Sequence, residues 1–133
     1  MRADLANTPG AGNRERHTMG DNKVIHFEIV GSDGAALQRF YSALFDWKLN
    51  TDNPGGYGMT DPAQTGVVVG IGASPDGSAG HVTGYVKVAD VSAALAKGTE
   101  LGGRVIMPKF SPDGTAQLGL LADPEGHVIG LTE

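Results

Sequence analysis

The chain is predicted to be an α+β domain of two tandem βαβββ modules related by a pseudo-twofold axis. Two repeats predict it. An Ala-Ala-Leu triplet occurs at 35–37 and again at 93–95, each time in a helical pattern that follows a strand. A Val-[Val/Ile]-Gly-[Ile/Leu] strand occurs at Val68–Ile71 and again at Val128–Leu131, 60 residues later. Each copy is too small to bury a core alone, so the two are expected to pack together with a cleft between the halves. The expected organisation is a disordered tail over 1–20 and one folded domain over 21–133. Within the domain, module one spans 23–72, a linker spans 73–80 and module two spans 81–133.

From Lys23 to Val30 the residues alternate as a strand, with Ile25, Phe27 and Ile29 on one face and Val24, His26, Glu28 and Val30 on the other. Ser32 and Asp33 offer capping oxygens to the next helix. There Leu37, Phe40, Tyr41, Leu44 and Phe45 form an apolar stripe expected to pack on a sheet. Trp47–Asn50, Tyr57–Thr60 and Gly66–Ile71 read as strands, parted by turns at Asn53–Gly56 and Asp61–Pro62. Trp47 is expected in the core. The Ala73–Gly80 stretch has the densest turn signals and reads as the linker.

Module two repeats the order. His81–Val88 is a strand with Val82, Val86 and Val88 on one face and His81, Thr83, Tyr85 and Lys87 on the other. Asp90 caps a helix whose buried stripe is Val91, Ala94, Leu95, Gly98 and Leu101, and Gly102–Gly103 ends it. Arg104–Met107, Ala116–Ala122 and His127–Thr132 are the remaining strands, with turns at Ser111–Gly114 and Asp123–Gly126.

Composition narrows the function. A net charge of −5, a pI near 5.2 and scattered Lys and Arg argue against nucleic acid or an anionic membrane as the main partner. No apolar run of about 18 residues is present, so no membrane-spanning helix is expected. The chain has no cysteine, which removes disulfides, thiolate catalysis and Cys-ligated zinc and suits a cytoplasmic location. Residues 1–20 lack the apolar centre of a secretory signal, and Met19 offers an alternative start.

Three segments carry a family resemblance: His26–Ile29, Phe40–Trp47 and Asp123–Leu131. Over residues 23–133 the chain resembles the vicinal oxygen chelate superfamily of glyoxalase I, bleomycin-resistance proteins and extradiol dioxygenases. Within it, the chain is most similar to glyoxalase-like proteins of undefined activity. The resemblance implies a cleft-containing open barrel of mixed β-sheet with helices packed outside, often paired as a homodimer. In metal-dependent members each module gives one ligand from its first strand and one from its last. Those positions match His26 and Gly70 in module one, and Tyr85 and Gly130 in module two. Glycine has no donor, and a divalent ion needs about four donors, or three plus water. His26 and Glu28 would hold a metal weakly at most. The expected site therefore contains no metal and no cofactor.

His26 and Glu28 stand where a half-buried strand should carry apolar side chains. An enclosed Glu28 is expected to have a raised pKa and to act as general base, with His26 as its partner acid. The plainer alternative is that both are structural remnants that hydrogen-bond their neighbours; either way a buried charge requires a partner. Tyr85 is expected to line the cavity and offer a hydrogen bond to a substrate oxygen, with Thr83 beside it. Lys87 would neutralise an anionic ligand, or else lie in water at the strand end. Phe110, in a loop between prolines, would cover the cleft mouth. Met59 and Gln117 are expected to line it, from the third strand of each module. His81 and His127, at strand starts beside glycine, are expected to be exposed. Gly70-Ile71-Gly72 is not followed by a helix, so it is no dinucleotide fingerprint.

These readings favour a metal-independent isomerase or lyase that moves a proton on a small polar or anionic molecule. Two alternatives remain at this point: a non-catalytic sequestering protein of bleomycin-resistance type, and a metal-dependent lyase or dioxygenase with an atypical site. A third possibility is an interaction protein whose cleft has filled in.

Overall fold

The computed structural model describes residues 21–133 apart from 75, 76 and 78. The expected tail over 1–20, and the linker residues 75, 76 and 78, lie outside the described residues. The α+β class holds, and the chain divides into two compact units. One is Val24–Tyr85; the other joins residues 21–23 to Val86–Glu133.

The first unit contains β1 (Val24–Gly31), α1 (Gly34–Phe45), β2 (Gly58–Met59), α2 (Pro62–Thr65), β3 (Val68–Ala73) and most of β4 (His81–Lys87). Its strands lie in the order β2-β3-β1-β4. β1 and β3 are parallel, which requires a crossover, and α1 supplies it. Their register sets Glu28 opposite Gly70 and His26 opposite Val68. β2 runs antiparallel to β3, with Met59 opposite Gly70. Asp33 caps α1 by accepting a 3.0 Å hydrogen bond from the Ala36 amide.

Ile29, Val69 and Ile71 are buried together against Leu37, Tyr41, Trp47 and Leu49. Leu37 and Tyr41 reach this core, whereas Phe40, Leu44 and Phe45 remain more than half exposed, contrary to expectation. The rings of Tyr41, Phe45 and Trp47 pack instead on one another. Trp47–Asn50 is not a strand either: Asn50 makes one isolated bridge to Met59. The Gln64 side chain explains this, because it takes the Lys48 amide at 2.8 Å and the Lys48 carbonyl at 3.2 Å. Gln64 sits on α2, a short helix capped by Asp61 where the sequence suggested only a turn.

The second unit contains α3 (Val91–Glu100), β5 (Arg104–Phe110), β6 (Leu118–Ala122) and β7 (Val128–Thr132). The strands are antiparallel in the order β7-β6-β5. Val88, Val91, Ala94, Leu95 and Leu131 form its core. Leu101 was expected in that stripe but is 71% exposed, because α3 ends at Glu100 and Gly102, at φ 104°, turns the chain away. Phe110 lies not in a loop but at the end of β5, paired with Leu118 through an irregular register. No helix among the described residues is long and apolar enough to cross a membrane.

Ile71 is fully buried and Phe40 is not. Ile71→Ala is therefore expected to cost about 2–5 kcal/mol and Phe40→Ala under about 1 kcal/mol, as read by urea unfolding of each variant.

Candidate functional site

Alternation on β1 puts His26 and Glu28 on one face. Beside them on β3, Gly70 offers no side chain, and the space is not empty. Tyr57, just before β2, lays its ring across β3. A Cβ at Gly70 would overlap the Tyr57 hydroxyl, and one at Gly72 would stand 2.8 Å from Tyr57 Cδ1. Asn53 holds the Tyr57 backbone at both ends, donating from Nδ2 to the carbonyl at 2.8 Å and accepting from the amide at 3.0 Å. Gln38 ties the same loop to β3, donating to the carbonyls of Gly56 and Ile71 at 2.9 and 2.7 Å.

The Tyr57 hydroxyl donates to Glu28 Oε1 at 3.1 Å and lies 2.9 Å from His26 Nε2. A phenol has one proton. With it committed to Glu28, the phenol oxygen accepts from His26, which makes His26 the Nε2–H tautomer. On the other side, Glu28 Oε2 accepts from the Tyr85 hydroxyl at 3.2 Å and from His81 Nε2 at 2.9 Å. The His26 ring is stacked parallel to Tyr57 at 6.1 Å and meets Tyr85 edge-on at 5.6 Å. The Glu28 side chain keeps 17% of its surface in solvent and that of His81 31%.

Burial holds the His26 imidazole below its ordinary pKa of 6.5, and the Glu28 charge opposes this only in part. Burial, then the Glu28 charge and hydrogen bond, push both tyrosine hydroxyls well above the usual phenol range. Both therefore remain protonated donors at neutral pH.

Of the residues singled out from the sequence, the structure brings together His26, Glu28 and Tyr85. Thr83 is buried between His81 and Tyr85 on β4. Lys87, at the end of β4, is exposed. Met59 lines a different hollow of about 360 Å³, with Asn50, Thr60 and Val68. Phe110 and Gln117 belong to the second unit, where the Gln117 carbonyl accepts from the Glu133 amide at 3.1 Å. His127 is exposed and pairs with Asp123. His81 is a correction: β4 is the neighbour of β1, so its first side chain meets Glu28 instead of pointing freely into water. His81 also forms part of the wall of a hollow of about 660 Å³, with Leu37, Phe40, Tyr41 and Val82.

Sequence reasoning missed Tyr57 and His81 as site residues. A Gly-x-Gly on one strand facing an aromatic on the next is the pattern that would have found Tyr57. The donor set also departs from the metal-binding arrangement that the resemblance implies. Position 70 supplies no ligand and its space holds a phenol, while His26 Nε2 and both Glu28 oxygens are engaged by protein groups.

Comparison with known proteins agrees with this fold. A family model described as a glyoxalase-like domain matches residues 26–132. CFP32, a glyoxylase-named protein of Mycobacterium bovis and Mycobacterium tuberculosis, is 32% identical over 112 aligned residues, covering 78% of this chain and 42% of that protein. The chain thus spans less than half the length of these curated relatives. Among solved structures, a variant of Streptomyces coelicolor methylmalonyl-CoA epimerase in complex with 2-nitronate-propionyl-CoA is similar at TM-score 0.55 and 18% identity, covering 84% of this chain and 96% of that one. A glyoxalase/bleomycin resistance/dioxygenase superfamily member from Vibrio splendidus is similar at TM-score 0.55 and 16% identity, covering 84% and 97%. At such identities the structural likeness is one of fold.

The lowered His26 pKa has a definite sign for stability. Below 6.5 the unfolded chain protonates at this position before the folded one does, so stability is lost as pH falls from 6.5 toward the lower folded value. A His26→Asn variant is expected to show a shallower acid loss over that window, as measured by denaturant unfolding at stepped pH.

Proposed function

The chain belongs to the glyoxalase-like domain family, and from that premise we propose that it is an isomerase- or lyase-type enzyme that moves a proton at Glu28 without a metal. One observation carries the reading. A carboxylate has about four acceptor positions, and neighbours take two on Oε2 and one on Oε1. Among the described residues one position on Oε1 is left, on a side chain still in contact with solvent. Such a carboxylate is held in place and can still accept a proton from a bound molecule.

The other residues divide into supporting roles. Tyr85, read from the sequence as a donor to substrate, has its one proton on Glu28, so its role is to hold the base. His26 backs the Tyr57 hydroxyl from behind. His81 touches Glu28 and also borders the larger hollow, which Glu28 itself does not line; the described walls of that hollow include Asp33 and no Lys or Arg. That lining is mostly apolar, with Ile29, Val30, Leu37, Phe40, Tyr41 and Val82, and suits an uncharged portion of a ligand. The reaction class suited to this site is proton removal from carbon next to a carbonyl. Methylmalonyl-CoA epimerase, similar in fold, has been solved with methylmalonyl-CoA bound, which makes an enolisable acyl compound a rational first probe.

The test is proton NMR in D2O on a panel of small enolisable carbonyl compounds together with methylmalonyl-CoA. Protein-dependent loss of an α-proton signal is expected, slowed about 100-fold or more by Glu28→Gln. A folded Glu28→Gln protein that exchanges as fast as the native one would overturn the mechanism. Tight binding of a probe by calorimetry, with no exchange, would move the assignment to sequestration.

A further inference from the structure

We propose that Tyr57 is the positioning residue of this site: seated on Gly70 and Gly72, its single hydroxyl orients the Glu28 carboxylate and fixes His26 in one tautomer. Three independent features converge on that side chain. The first is the seat. The three atoms nearest a Cβ at Gly70 all belong to Tyr57, and the nearest to one at Gly72 is Tyr57 Cδ1, so side chains at both positions would displace the ring. Glycine is required here for close approach, not for a turn.

The second feature is the clamp. Asn53 makes two hydrogen bonds to the Tyr57 backbone, and Gln38 ties the preceding residue, Gly56, to Ile71 on β3. The ring therefore crosses β3 at a set point of the chain. The third is the hydroxyl, which contacts His26 Nε2 and Glu28 Oε1 at once. Its proton stays on oxygen, since burial and the nearby carboxylate both disfavour the phenolate. With that proton on Glu28, His26 must donate. Without the hydroxyl, nothing in this contact would choose between the two ring nitrogens of His26.

Position 70 thus acquires a meaning opposite to the one its sequence suggests. Gly70 reads as a lost ligand; in the structure it is the space that admits Tyr57. The catalytic consequence rests on the proposed role of Glu28, but the seat and the tautomer do not.

The experiment therefore needs no substrate. The full chain, ¹⁵N-labelled at histidine, is examined by long-range ¹H–¹⁵N NMR near pH 8, as native protein and as Tyr57→Phe, which keeps the ring on its seat. A single Nε2–H signature for His26 is expected in the native protein, with loss of that single state in Tyr57→Phe. In parallel, Gly70→Ala is measured by thermal unfolding in the native and Tyr57→Ala backgrounds. A fall of about 4 °C or more is expected in the first and little change in the second, where the obstructing ring is gone. An unchanged His26 signature in Tyr57→Phe would overturn the positioning role. An equal penalty for Gly70→Ala in both backgrounds would overturn the seat. Both results stand apart from whether Glu28 turns over any probe, so failure here and failure of the proposed reaction are distinguishable.

Discussion

A carboxylate set on a half-buried strand face must be compensated, because an ionised group withdrawn from water costs several kcal/mol when unpaired. Glu28 is such a group, and the local architecture of the first unit is arranged around it. Its donors come from both flanks of β1: Tyr57 reaches across β3 from one side, and His81 and Tyr85 come from β4 on the other. Only the strand order β2-β3-β1-β4 places those flanks together. The parallel β1–β3 pairing, with Glu28 beside a glycine, then decides that the β3 flank is filled by a ring from the loop before β2 and not by β3 itself.

The compensation is also chemically specific. The two phenols are neutral donors, and no Lys or Arg is hydrogen-bonded to Glu28 among the described residues. A guanidinium would take both oxygens in a bidentate pair and cancel the charge. Hydroxyls order the carboxylate and leave its charge in place. His81 also stands at the hollow.

Much of this molecule is legible from the chain because it is local. Period-two alternation on β1 and β4 assigned His26, Glu28, Thr83 and Tyr85 to coherent faces, and Asp33 and Asp90 both cap the helices they precede. The misreadings come from contacts that no local pattern carries. Lys48 would suit a strand, but Gln64, 16 residues on, satisfies its backbone. Phe40 and Leu44 suit a buried helix face, but of that stripe it is Leu37 and Tyr41 that reach the core. At the site, Tyr57 lies 29 residues from Glu28 in sequence and His81 lies 53 away, so their convergence depends on strand order.

Gly70 shows why family-level inference and structural inference diverge. By resemblance its position belongs to a metal ligand, so glycine there reads as subtraction. Removing a side chain from a packed strand face also creates volume, and packed interiors do not leave volume unused. Tyr57 fills it and brings a hydroxyl where a carboxylate would otherwise arrive. The exchange replaces an anionic oxygen, which would demand a cation, with a neutral donor, which demands an anion. Glu28 is that anion. Glycine at 70, tyrosine at 57 and glutamate at 28 therefore form one mutually dependent set: changing any one leaves the others with a clash, an unpaired donor or an under-compensated charge.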